Sequence, residues 1–231
     1  MRHYLTFGGR PTTEFNVYIS GAGTFGAPER DRKTVTIPGR DGELTLDNGR
    51  YKNIKVSYPA FIAKDYSMSV EALRNYLLSV PGYERLEDTY HPGEFRKGRY
   101  SGGFEGGSTK GMRAGSFKIE FDCMPQRWLK EGEKQITLSA SGRIINPTMM
   151  ESKPLLYVVG TGTLVINDIE MVIGASPMYI DCELQEAYNA QGGSMNSDLT
   201  LSDGVFPTLL PGTNLITPTT SITITPRWWI L

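Results

Sequence analysis

Apolar and polar residues alternate with a period of two along most of this chain, which is the pattern of half-buried strands. In the first half, residues 3–7 and 15–20 are short β-like runs separated by Gly8, Gly9 and Pro11. Residues 33–37 follow, with Val35 and Ile37 on one face, until Pro38-Gly39 breaks the run. Residues 43–46 form another short strand, and Asn48-Gly49 tolerates the positive φ angles of a two-residue hairpin turn. That turn predicts residues 44–46 pairing back onto residues 51–54. Residues 55–63 alternate again through Val56, Tyr58 and Ala60.

The period changes once. Over residues 69–79, Val70, Leu73, Leu77 and Val80 make an apolar stripe at helical spacing, with Tyr76 beside it. Ser67 or Ser69 can cap this helix, Glu71 suits its positive first turn, and Pro81-Gly82 stops it. Strand-like runs at residues 95–100 and 116–121 then flank a glycine-rich segment, read as the mobile end of a hairpin. Residues 135–138 are read as the last strand before a boundary at 139–147. Beyond it, residues 154–159, 162–167, 170–173, 178–183, 198–201 and 221–225 are strands at sandwich-like spacing. Residues 206–214, punctuated by Pro and Gly, are read as a connection. The chain is therefore expected to be mainly β. A β-rich domain with one helix spans 1–145, and a β-sandwich spans 146–231.

Charge supports two domains. The whole chain of 231 residues carries a net charge of −1, but residues 1–145 hold 22 Lys and Arg against 17 Asp and Glu. Residues 146–231 hold 2 against 8. Such asymmetry marks halves that face different partners or each other. The basic excess is spread thinly, so it is no nucleic-acid stripe. The glycine-rich hairpin is the locally basic part, through Lys97, Arg99, Lys110, Arg113 and Lys118. No apolar run nears the ~20 residues of a membrane helix, and the first residues form no signal-peptide segment. The expectation is a chain made in a cytoplasm, with no membrane insertion.

Catalytic chemistry is sparse. There is no phosphate loop of the GxxxxGK[ST] type, no HExxH pair and no GxSxG elbow. Gly160-Thr161-Gly162 could open a dinucleotide loop, but Val165 replaces the third glycine and a strand follows. Two His and two Cys are too few for a structural zinc site. Cys123 and Cys182 read as reduced packing residues, and His91, after Glu84, Glu87 and Asp88, as part of a solvated turn. Asp181 and Glu183 share a strand face at about 6.6 Å along the strand, near the spacing of a glycosidase pair. With Ile180, Cys182 and Leu184 assigned to the core, both carboxylates are expected in solvent. Adjacent Trp228 and Trp229 must point to opposite sides, one into a core and one toward another domain, a subunit or a sugar. No catalytic residue, metal ligand or cofactor is assigned.

Seven phrases, in order, resemble one family. VTIPGRDGELTLDNGRYKNIKVSYPAFI (residues 35–62) is similar to the N-terminal region of distal tail proteins (Dit) of long, flexible-tailed phages (siphophages) infecting Gram-positive bacteria. GYERLEDTYHP (82–92), FKIEFDCMPQRW (117–128) and NPTMMESKPLL (146–156) fit the same family, as do YIDCELQEAY (179–188), FPTLLPGTN (206–214) and TPRWW (225–229). The resemblance implies a tail-tube-like N-terminal domain that forms a homohexameric ring, and a galectin-like C-terminal sandwich. It implies a structural virion protein at the tail tip or baseplate, assembled in the host cytoplasm and encoded by a phage or prophage. Its partners would be the tail tube protein, a tail-associated lysin or fibre hub, and receptor-binding proteins, with DNA only passing through the channel.

Galectin sugar sites use a His, Arg and Trp constellation. Residues 146–231 have no His, and their one Arg is Arg227. Candidate subunit or tube contacts are Arg96, Lys97, Arg99, Phe104, Lys110 and Arg113. Candidate domain or subunit packing residues are Trp228 and Trp229. The competing reading is a carbohydrate-binding adhesion module on host wall glycans. A wall hydrolase using Asp181 and Glu183 is the third, and no such activity is expected.

Overall fold

The computed structural model describes residues 2–23, 26–108 and 113–231, with the side chains of 103–108 excepted. The chain divides into two units, residues 1–127 with Leu231 in one and Trp128–Ile230 in the other. In the first unit, β1 (Leu5–Phe7), β2 (Arg10–Pro11) and β3 (Val17–Ile19) precede a two-stranded ribbon, β4 (Arg30–Thr36) and β5 (Glu43–Tyr51). Then come β6 (Ile54–Ile62), α1 (Tyr66–Ser79), β7 (Glu84–Asp88), β8 (Glu94–Ser108) and β9 (Gly115–Cys123). The main sheet runs β2-β1-β7-β8-β9-β6-β3. Strict alternation explains its centre: Ile54, Val56, Tyr58, Ala60 and Ile62 on β6 are buried, as are Phe117, Ile119, Phe121 and Cys123 on β9. Leu73 and Leu77 of α1 join this core, and the Tyr76 hydroxyl donates to the Phe7 carbonyl.

The structure differs from two local predictions. The helix begins at Tyr66, and its N-cap is Asp65 in the left-handed region, with no side-chain cap bond. Ser69 is buried instead, and accepts from the Asn16 side-chain amide at 3.4 Å. Asn48-Gly49 is not a turn. Strand β5 runs through it and pairs with β4 from Thr36↔Glu43 to Arg30↔Tyr51. The register shifts between Arg30 and Arg32, and Gly49 at φ +72° absorbs the bulge. Asp47 holds that geometry by accepting from the Gly49 N–H and from Arg30 Nε. The reversal falls at residues 38–42, where Gly39 and Gly42 have positive φ.

The chain passes between the units over β10 (Arg127–Leu129). In the second unit the strands are β11 (Ile136–Leu138), β12 (Gly142–Asn146), β13 (Leu155–Val159), β14 (Gly162–Ile166), β15 (Ile169–Ile173) and β16 (Met178–Asp181). Strands β17 (Glu186–Tyr188), β18 (Leu199–Leu201), β19 (Gly212–Pro218), β20 (Ser221–Thr225) and β21 (Trp229–Ile230) complete it. Two antiparallel five-stranded sheets, β11-β20-β13-β16-β17 and β12-β19-β14-β15-β18, enclose a core that includes Leu156, Val158, Leu164, Ile166, Met178, Ile180, Ile216 and Ile224. The division falls between Arg127 and Trp128 and not at 145, because β11 pairs with β20 and β12 with β19. The supposed connection 206–214 also leads straight into strand β19.

At Gly132 two backbone segments of the second unit approach closely. A Cβ there would lie 2.2 Å from the Trp228 nitrogen, and the Gly132 carbonyl accepts from the Arg227 N–H at 2.7 Å. Gly132→Ala is expected to destabilise this unit by about 2 kcal/mol or more, since backbone must move to admit a methyl group. All three tryptophans, Trp128, Trp228 and Trp229, belong to this unit. Urea unfolding followed by tryptophan fluorescence therefore reads its loss directly, and an unchanged midpoint would refute the close approach.

Candidate assembly surface

The ribbon β4–β5 stands apart from the main sheet, and its two strands pair only with each other among the described residues. Register places Val35 opposite Leu44 and Lys33 opposite Leu46, so Val35, Leu44, Leu46 and, two residues on, Ile37 share one face. These four side chains are 37–50% exposed. The other face carries Thr36 with Glu43, Thr34 with Thr45, and Arg32 with Asp47. A lone two-stranded hairpin is marginally stable in water. Here ion pairs hold it: Arg30 and Arg32 with Asp47 at 2.9 and 3.6 Å, and Arg50 with Asp31 at 2.7 Å. Hydrogen bonds from Arg30 and the Gly49 N–H hold the Asp47 carboxyl below the usual carboxylate range. Sequence reading assigned no role to this ribbon, although the alternation of Val35 with Ile37 and Leu44 with Leu46 was visible in it.

A second open surface lies on the β8–β9 hairpin. Strand β7 pairs with β8 over residues 96–98, and β9 pairs with β8 between residues 98 and 108, so β7 leaves the outer edge of β8 beyond residue 98. Free edges of this length are templates for another strand. Arg99 and Arg113 are exposed and Lys97 is half-buried. Arg99 pairs with Asp122 at 2.8 Å and lies over the Tyr83 ring. Phe104 sits opposite Ile119 in the ladder. Lys110 lies outside the described residues. Arg96 departs from the expected set: it is only 7% exposed, turned into the unit beside Tyr58 and Cys123, and burial lowers its pKa.

The remaining candidates resolve into packing and hydrogen bonding. Asp88 accepts from the Tyr58 hydroxyl and from the N–H groups of Tyr90 and His91, and pairs with His91 Nδ1 at 3.0 Å. That arrangement fastens a turn. Burial pushes both cysteine thiols up to about 12, which suppresses the thiolate a nucleophile needs. Trp228 is buried in the sandwich core, and Trp229 donates from Nε1 to the Glu151 carbonyl. Among the described residues no group of His, Cys, Asp and Glu could hold a metal ion, and no helix is long and apolar enough to cross a membrane.

Asp181 corrects the expectation of two solvated carboxylates. It is 3% exposed and takes a bidentate pair from Arg227 at 2.7 and 2.8 Å, while Leu184, assigned to the core, is exposed. Burial raises the Asp181 pKa, but the Arg227 and Leu184 hydrogen bonds outweigh it and the net direction is down. Arg227 reaches it from a left-handed backbone at φ +59°, a conformation no sequence pattern announces.

No protein-family model and no curated protein sequence matches the chain. Among solved structures, the phage P2 baseplate in its activated conformation with Ca matches at 9% identity over 97% of each chain and TM-score 0.49. The Sr form matches at 8% identity over 96% of each chain and TM-score 0.47. The SPP1 Dit (gp 19.1) protein, presented as a paradigm of the hub adsorption apparatus in phages infecting Gram-positive bacteria, matches over 100% of both chains at 16% identity and TM-score 0.77. Over its whole length, the chain has the fold of that Dit protein.

Proposed function

We propose that this chain is a distal tail protein of a long, flexible-tailed phage or prophage: a structural part of the tail tip, without enzymatic activity. The observation that carries this reading is the likeness of fold to SPP1 Dit over the whole of both chains. Six copies close into a ring that joins the tail tube to the lysin or fibre hub, can carry receptor-binding proteins, and lets DNA pass without holding it. The ring is built in the host cytoplasm and ends at the virion tail tip. A ring needs two unlike surfaces that meet at every junction. The apolar face of the ribbon and the open edge of β8 are two such surfaces on one chain. Lys97, Arg99, Phe104, Lys110 and Arg113 are assigned to contact with a neighbouring copy or the tube. Arg96, being buried, is not.

Light scattering over a concentration series, with negative-stain imaging, tests the reading. A hexamer of this 25.6 kDa chain weighs about 154 kDa and shows a central hole. That mass and shape are expected at micromolar concentration or in the presence of tube protein. A monomer under both conditions overturns the ring.

A further inference from the structure

The outer face of the sheet β11-β20-β13-β16-β17 carries an aromatic row outside the assembly surfaces above. Tyr157, Tyr179 and Tyr188 stand opposite one another on three neighbouring strands. The Tyr157 and Tyr179 rings lie 4.7 Å apart between centroids and tilted by 35°, and Tyr179 and Tyr188 stack at 5.5 Å and 14°. Their strand neighbours Leu156, Val158, Met178, Ile180 and Ala187 fill the core, so the tyrosines face away from it.

The row ends at Tyr188 in an unusual way. One face of its ring is covered by Tyr179. On the side away from Tyr179, its bridge partner across the sheet edge is Ser194, which is small and exposed. The turn before Ser194 is held by Asn189, whose Oδ1 accepts from the N–H groups of Gln191 and Gly193. Gly192 has φ +80°, and a Cβ at Gly193 would meet the Asn189 amide at 2.9 Å. The positive φ favours glycine at 192, and neither glycine places a side chain over the ring. On the same face, Glu186 stands opposite Asp181, which binds Arg227, and Glu183 lies 3.7 Å from Arg227.

We propose that the open side of Tyr188 is a subsite for one residue of a neutral polysaccharide. An aromatic ring open on one side takes the C–H face of a pyranose. The carboxylates of Glu186 and Glu183 and the Arg227 guanidinium take its hydroxyl edge, since charged groups make the stronger hydrogen bonds. Three carboxylates against one guanidinium repel a polyanion, which selects neutral chains over phosphate-rich wall polymers. The subsite stands whether or not the chain forms a ring.

Isothermal titration of the full chain with cellohexaose, maltohexaose and the hexamer of β-1,4-linked N-acetylglucosamine is the test, with polyglycerol phosphate as the polyanion. At least one neutral oligosaccharide is expected to bind with a Kd of about 1 mM or tighter. Tyr188→Ala should weaken it by about tenfold or more, a loss of about 1.4 kcal/mol, and Tyr188→Trp should retain it. Ser194→Trp, an exposed change that fills the open side, should abolish it even if Tyr188→Ala fails to fold. Absence of heat from all three oligosaccharides, binding unaffected by Ser194→Trp, or binding of the polyanion alone overturns the proposal.

Discussion

Replacing Val35, Ile37, Leu44 and Leu46 together by serine is expected to abolish assembly of the proposed ring while leaving both units folded. Fully burying such a side chain contributes about 1.5–3 kcal/mol, and these four are already half-buried, so docking gains about 1 kcal/mol from each. Their joint loss costs about 4 kcal/mol per junction, roughly a thousandfold in association. A closed ring repeats the junction at every subunit, so the fall in assembled mass is steep. The four residues lie outside the buried core of the first unit, so thermal unfolding should shift little. Light scattering of the variant at a concentration where the parent assembles decides the matter. An intact ring would move the contact to the open edge of β8.

The second large effect is expected at Asp181. Removing one partner of a buried pair leaves an uncompensated charge, at a typical cost of about 3–5 kcal/mol. Asp181→Ala leaves the half-buried Arg227 without its bidentate partner and strips an acceptor from the Glu183 and Leu184 N–H groups. Asp181→Asn keeps an acceptor for those N–H groups and should lie between the alanine variant and the parent. Acid should act in the same direction. The folded-state pKa of Asp181 is lowered, so its contribution is complete above the ordinary carboxylate value of 3.8 and drains away as pH falls through the lowered one. The parent should lose more stability than Asp181→Ala between pH 7 and about pH 2, read by urea unfolding through tryptophan fluorescence. Parallel losses in the two proteins would refute the pairing.

Most strands were legible because alternation in a half-buried sheet leaves a period of two, as along β6 and β9. What failed was local chemistry with two solutions. Asn48-Gly49 suits a turn and a bulge equally, and the pairing of Asp47 with Arg30, many residues away, selects the bulge. Alternation puts Asp181 correctly on the outer face of β16, but it was carried past Asp181 to Leu184, where β16 has ended and the chain turns. Leu184 then falls in solvent, and Asp181 is covered by an arginine from a distant part of the chain. The boundary at 145 failed because a Ser- and Gly-bearing stretch resembles a linker, yet residues 142–146 are paired along their length with β19. The ribbon was visible as two short strands, but its independence from the main sheet is a matter of tertiary pairing.

Close pairing at the two ends of the second unit has an evolutionary corollary. The Leu129 N–H donates to the Trp228 carbonyl at 2.9 Å, and the Arg227 N–H to the Gly132 carbonyl at 2.7 Å. The sandwich thus leaves and re-enters the chain through a single doorway. A module whose entry and exit adjoin can be transplanted as a cassette with one seam to repair. Recombination can exchange residues 128–230, and whatever their outer faces bind, while residues 1–127 keep the ribbon and the β8 edge unaltered.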